Sequence, residues 1–85
     1  MSGGSVHLVR LFGQAREAVG GEIIELLLPA AATAGDALAA LAEAHPAVAG
    51  LLPRSRVAVN LEYVDAATRL APGDEIAILP PVGGG

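Results

Sequence analysis

The sequence predicts a small α+β domain, a mixed sheet of about five strands packed on one main helix, with a flexible C-terminal tail. Three observations predict it. Short runs rich in Val, Ile and Leu recur between Gly- and Pro-containing breaks, as strands do. One alanine-rich segment carries a capping signal and leucines at helical spacing. The last apolar run passes into Pro80-Pro81-Val82-Gly83-Gly84-Gly85, which suits neither strand nor helix.

Composition narrows the function classes. Eighty-five residues fit one domain with a modest core and no room for a deep active site of its own. Hydrophobic residues make up 53%, many of them alanine. No run approaches the roughly 20 apolar residues a membrane span needs. The longest, from Ile23 to Leu28, is broken by Glu25. Met1-Ser2-Gly3-Gly4-Ser5 has neither a basic nor an apolar region and is expected to be a loose leader rather than a signal peptide. With no cysteine, disulfides, thiol nucleophiles and thiolate metal sites are excluded, in keeping with a cytoplasmic protein. His7 and His45 lack the spacing of a metal pair. The formal charge is −4, with five Lys and Arg residues, all of them arginine. Two aromatic residues and no basic stripe argue against nucleic-acid binding. Partners are expected to carry positive surface.

The elements follow in order. Val6 to Phe12 reads as the first strand, alternation separating His7, Val9 and Leu11 from Val6, Leu8, Arg10 and Phe12. Gln14 to Val19 suits a short helical turn ended by Gly20-Gly21. Glu22 to Leu28 reads as the second strand, antiparallel to the first, with Ile24, Leu26 and Leu28 inward and Glu25 outward. Pro29 stops it. Thr33 reads as an N-cap and Asp36 as its capping-box partner. The helix then carries Leu38 and Leu41 on one face, joined by Ala34 and by Ala42 or His45, and stops near His45-Pro46. His45 suits the helix C-terminus better than a ligand role. Ala47 to Pro53 reads as a loose turn packing Leu51 or Leu52, and Arg54-Ser55-Arg56 as a polar connector. Val57-Ala58-Val59 begins the third strand, Asn60 turns it, and Glu62-Tyr63-Val64 returns. Leu70-Ala71-Pro72-Gly73-Asp74 is a turn signal. Glu75 to Leu79 closes the chain of strands, with Ile76 and Ile78 inward and Ala77 and Leu79 outward.

One helix covers one face of a sheet. The simplest arrangement puts the first and last strands side by side and parallel in the centre, so that residues 5–80 form the domain and 81–85 a projecting tail. The tail presents a bare carboxylate on a narrow arm, and that carboxylate reads as the working group. The alternative is a frayed end without function. Parity leaves Phe12, Tyr63 and Leu79 facing away from the helix. Two aromatics outside the core point to an interface; the alternative is scattered surface apolars that need no explanation. Arg16, Glu17 and Glu62 are candidates for a polar rim. His7 reads as a strand residue at a sheet edge.

Particular stretches resemble a known family. Leu11-Phe12-Gly13-Gln14-Ala15-Arg16-Glu17, Val57-Ala58-Val59-Asn60, Pro72-Gly73-Asp74-Glu75-Ile76 and above all Ile78-Leu79-Pro80-Pro81-Val82-Gly83-Gly84-Gly85 are similar to the ubiquitin-like sulfur carriers of the β-grasp fold, the family of the molybdopterin synthase small subunit. The resemblance runs from about Val6 to Gly85. Gly83 fills the family's variable small place before the final glycine pair. Leu61 departs from the glycine many relatives place after the turn asparagine, which suggests a turn wider than two residues.

The resemblance implies a chemistry. A ubiquitin-activating-type enzyme uses ATP to adenylate the Gly85 carboxylate, and a persulfide protein then supplies sulfur to give a thiocarboxylate. The molybdopterin synthase large subunit receives that sulfur while building the molybdopterin dithiolene. Leu79, Pro80, Pro81, Val82, Gly83 and Gly84 would thread or flank partner channels, where glycine avoids a clash. Phe12, Tyr63 and Leu79 would supply the apolar contact. No cofactor or metal is expected to be held permanently, and any general base or oxyanion hole would lie on the partners. Alternatives are sulfur delivery to a thiamine thiazole, a tRNA base or cysteine, a ubiquitin-like protein modifier, and an inert adaptor.

Overall fold

Side-chain alternation in the first segment decides which way the sheet faces. His7, Val9 and Leu11 are buried, while Val6 and Leu8 are exposed. This is the first element of a computed structural model that describes residues 3–81. The elements are β1 (Ser5–Leu11), α1 (Gly13–Val19), β2 (Ile23–Leu28), α2 (Ala34–Ala44), a 3₁₀ helix (Pro46–Arg54), β3 (Arg56–Val59), β4 (Glu62–Val64) and β5 (Ile76–Leu79). The sheet order is β2-β1-β5-β3-β4. β1 and β5 lie side by side and parallel, as expected, and the other pairings are antiparallel. The fold is the expected mixed sheet on one main helix, with α1 where the short helical turn was expected between β1 and β2.

Each element ends for a local reason. Phe12 is extended, and Gly13 at φ 53° reverses the chain into α1. Gly20 closes that helix at φ 84°, its N–H donating to the Arg16 carbonyl. β2 pairs with β1 from Leu28 opposite Ser5 to Ile23 opposite Arg10, burying Leu26 and Leu28 and leaving Glu25 outside. In α2 the Thr33 hydroxyl accepts from Asp36 N–H at 3.1 Å and the Asp36 carboxylate accepts from Thr33 N–H at 2.9 Å. The neighbouring donors are satisfied as well. Ala34 and Gly35 N–H groups donate to the carbonyls of Thr68 and Ala66, which seats the 65–70 segment across the helix start. Helix starts leave such donors orphaned unless something meets them.

The core lies between the sheet and α2 with the 3₁₀ helix. Leu11, Leu28, Leu41, Ile76, Ile78, Val9 and Val48 are its largest fully buried side chains. Two expectations are sharpened here and one, for Arg56, is corrected. The deep face of α2 is Ala34, Ala37 and Leu41, with Leu38 half-buried beside it, because small residues let the helix approach the sheet closely. Of the two leucines left open in the 3₁₀ helix, Leu52 is the buried one, with Val48 beside it and Leu51 packed against the core. Arg56 is the first residue of β3 rather than a connector.

Replacing the α2 cap, Thr33→Ala, is expected to lower unfolding stability by about 1 kcal/mol, as for other lost N-caps. Denaturant titration checks this, and the midpoint should move with the slope unchanged.

Candidate functional site

No described element covers the face of the sheet opposite α2, and register determines its content. Residues paired across strands share a face. Ala58 lies opposite Tyr63 on β4 and opposite Ala77 on β5. Arg56 lies opposite Leu79, and Arg10 beside Ala77. Phe12 continues the outward parity of β1. Phe12 is 45% exposed, Tyr63 57%, and Leu79 is half-buried. The expected trio therefore meets on one surface.

Small residues shape that surface. Ala58 and Ala77 form a floor between larger side chains. Ala58 is only 7% exposed although it lies outside the core cluster, so outer-face neighbours cover it. Two grooves share Phe12 and Leu79. One, of about 360 Å³, is completed by Gly13, Gln14, Pro80 and Pro81. The other is completed by Ala58, Leu61, Tyr63 and Ala77. Pro80 and Pro81 follow β5 directly, so the root of the tail forms a wall of the first groove. Val82, Gly83, Gly84 and Gly85 lie outside the described residues.

Two arginines on this face have contacts within it, while Glu25, opposite Leu8, stands exposed. Arg10 Nε lies 3.2 Å from Glu75 Oε2. The Arg56 guanidinium sits 3.9 Å above the centre of the Tyr63 ring, close enough for cation–π attraction. Arg56 thus stiffens the aromatic. The expected rim does not assemble. Arg16 pairs with Glu22 at 3.7 Å, and Gln14 rather than Arg16 or Glu17 lines the groove. Glu62 lies opposite Val59, on the other face from Tyr63.

The β3–β4 turn is two residues long, because Val59 pairs with Glu62. Asn60 and Leu61 both have positive φ, 51° and 73°, the pattern of a type I′ hairpin. The wider turn expected from Leu61 is therefore overturned. Asn60 is fixed on both sides of its amide. Its Nδ2 donates to Asp74 Oδ1 at 2.8 Å, and its Oδ1 accepts from Glu75 N–H at 3.0 Å. Asp74 Oδ2 also accepts from the Ala71 N–H at 2.8 Å. Those donors, Ala71 first and Asn60 second, hold the Asp74 carboxyl below its usual range, slight burial opposing them.

His7 departs from expectation in one respect. β1 is an interior strand, so His7 is not at an edge; it is 3% exposed. Its Nδ1 lies 2.8 Å from the Asp74 carbonyl oxygen. A carbonyl only accepts, so Nδ1 carries the proton. The residue is structural, tying β1 to the turn that leads into β5. His45 caps α2 through its backbone N–H to the Leu41 carbonyl. Among the described residues no three His, Cys, Asp or Glu are grouped to hold a metal ion. No described helix is long and apolar enough to cross a membrane.

Sequence reasoning missed Leu61 and Ala58 as parts of this face. Ala58 was legible from its parity between Val57 and Val59. Leu61 was legible only if Asn60-Leu61 were taken as a complete hairpin turn.

Comparison with known proteins places this geometry. The model of the ThiS family matches residues 9–85. The molybdopterin synthase sulfur carrier subunit of Dictyostelium discoideum is 35% identical over 80 residues, covering 91% of this chain and 93% of that protein. Small archaeal modifier protein 1 of Haloferax volcanii is 36% identical over 84 residues, covering 89% and 97%. A crystal structure of that protein superposes with a TM-score of 0.86 at 32% identity, covering 93% of this chain and all of that one. A chain from the complex of subunits 1 and 2 of the molybdopterin-converting factor of Helicobacter pylori matches with a TM-score of 0.65 at 28% identity, covering 94% and 99%.

A folded-state carboxyl pKa held low gives stability that is present above the unfolded value, about 3.9, and lost as pH falls through the folded one. Asp74→Asn should therefore be less stable than the parent at neutral pH, and the gap should close below about pH 4. Urea unfolding across pH 2.5 to 7 would check it, with acid convergence of the two curves as the expected outcome.

Proposed function

The chain belongs to the ThiS family, and from that premise we propose that its C-terminal Gly85 carries sulfur to the larger subunit of a molybdopterin synthase in the cytoplasm. The observation that carries this reading is the site at the root of the tail. β5 leaves the centre of the sheet through Pro80-Pro81, directly beside an uncovered apolar face holding Phe12, Tyr63 and Leu79. A protein that encloses the tail must lie against that face.

The chemistry belongs to a terminal carboxylate. Charge and resonance make it a poor electrophile, so it needs a leaving group. In a ubiquitin-activating-type enzyme, a Gly85 carboxylate oxygen attacks the α-phosphorus of ATP and pyrophosphate leaves. The terminal sulfur of a protein persulfide then attacks the acyl carbon and AMP leaves. A thiol of the donor machinery supplies the electrons that cleave the resulting S–S bond, releasing the thiocarboxylate. Its sulfur attacks the pterin precursor held by the larger subunit, and hydrolysis restores the Gly85 carboxylate. Two such deliveries complete a dithiolene. This chain contributes positioning. Its prolines limit the conformations at the arm's root and so the entropy lost on insertion. Val82, Gly83 and Gly84 extend the arm, the glycines without side chains to obstruct a channel. The pairing of two subunits in the Helicobacter pylori complex supports a larger-subunit partner.

A second reading has its own support. The relative named small archaeal modifier protein 1 is as similar as the sulfur carriers. The same acyl-adenylate could be captured by a lysine of another protein. This chain has no lysine, so it cannot build chains on its own side chains.

Incubation with ATP, the adenylating enzyme and a sulfur source is expected to replace one oxygen by sulfur at Gly85, read by intact mass. One residue added after Gly85 should abolish the change. Isopeptide conjugates in cells without any thiocarboxylate would favour the modifier reading instead. Phe12→Ala is expected to weaken binding to the larger subunit about tenfold, as an aromatic anchor does, with thermal unfolding as the control for folding.

A further inference from the structure

We infer that Leu61 is a preorganised anchor for the protein that encloses the tail, inserting into an apolar socket on the larger subunit. The inference rests on the reading above, and it concerns which residue sets the strength and selectivity of docking.

Leu61 opposes the stability of the free fold in two ways. Its φ of 73° lies in the left-handed region, which L-residues with a branched side chain occupy at a cost and glycine occupies freely. It is also 91% exposed, the most exposed large apolar side chain described. A strained backbone without compensating burial persists where it serves a site outside the local fold. The position is not loose. The preceding Asn60 is fixed by its amide bonds to Asp74 and Glu75 and by its own N–H to the Glu75 carbonyl at 2.9 Å. Val59 and Glu62 pair directly beneath the turn. The leucine is therefore held out on a rigid mount.

Its direction selects the occupant. Leu61 lines the same groove as Phe12, Ala58, Tyr63, Ala77 and Leu79. That groove adjoins the one whose wall is Pro80 and Pro81. Leu61 is thus continuous with the root of the tail, and a protein that takes in the tail meets it. A rigid apolar prong loses little conformational freedom on binding, which favours affinity. The residues that share its groove, Phe12, Ala58, Tyr63, Ala77 and Leu79, carry no charge, so the matching surface is apolar rather than ionic.

The experiment compares the full chain with Leu61→Gly, Leu61→Asn and Phe12→Ala, measuring thermal unfolding and affinity for the larger subunit of the same organism. Both Leu61 variants suit a left-handed turn better than leucine. The expected result is a pair of opposite signs: melting temperature rises for Leu61→Gly and Leu61→Asn, while affinity falls about tenfold. Wild-type affinity in both, with Phe12→Ala weakened, overturns the inference and leaves the docking face standing. Wild-type affinity in all three sinks the docking face as well. A fall in melting temperature together with affinity also overturns the inference, since Leu61 would then be part of the fold's own packing. Loss of affinity for the adenylating enzyme alone would overturn the assigned occupant.

Discussion

The parallel pairing of β1 with β5 is the constraint on which the rest of this molecule depends. Only three register pairs make it, Val9 with Ile76, Arg10 with Ala77 and Leu11 with Ile78. Parallel neighbours cannot be joined by a tight turn; they need a crossover. Everything from Phe12 to Glu75 is that crossover, and α2 within it covers one face. Parallelism also brings the two strand ends together. Leu11 and Leu79 finish at the same edge of the sheet, so Phe12 and Pro80 become neighbours. An antiparallel pairing would put the aromatic and the tail at opposite ends, and no apolar face would adjoin the root of the tail.

The two faces of the sheet then divide the work. Toward α2, Val9, Leu11, Ile76 and Ile78 are fully buried and supply stability by apolar burial. Away from it, two alanines keep the floor low, and larger side chains stand around it. The ion pair of Arg10 and Glu75 is partly exposed and contributes little to stability. It sets the two charges against each other on the uncovered face. At the β4 margin the Arg56 guanidinium lies over the Tyr63 ring.

Much of this was legible in the residues. Alternation gave the inward set of β1, β2 and β5, because a strand's period of two leaves little freedom once one face is apolar. Thr33 and Asp36 marked the start of α2 through a local, reciprocal bond. The family resemblance rested mainly on the ending, whose final four residues lie outside the description. What could not be read was non-local. Ala37 looks like any alanine in an alanine-rich helix, and only the sheet decides that it is buried. His7 was read as an edge residue although the expected central place of β1 already put it inside the sheet, and its bond to the Asp74 carbonyl, 67 residues away, has no local signal. Leu61 was read as evidence for a wider turn because it stands where many members of the resembled family have glycine. The structure keeps the short turn and accepts the strain.

One more consequence follows from β5 occupying the middle of the sheet. The arm extends from a strand held by ladders on both sides, to β1 and to β3. A pull along the arm therefore loads both ladders in shear, and the rungs resist together. Were the arm attached to β2 or β4, the same pull could unzip one edge a rung at a time. A partner that grips the terminus and draws on it is thus hauling against the whole body rather than against a loose thread.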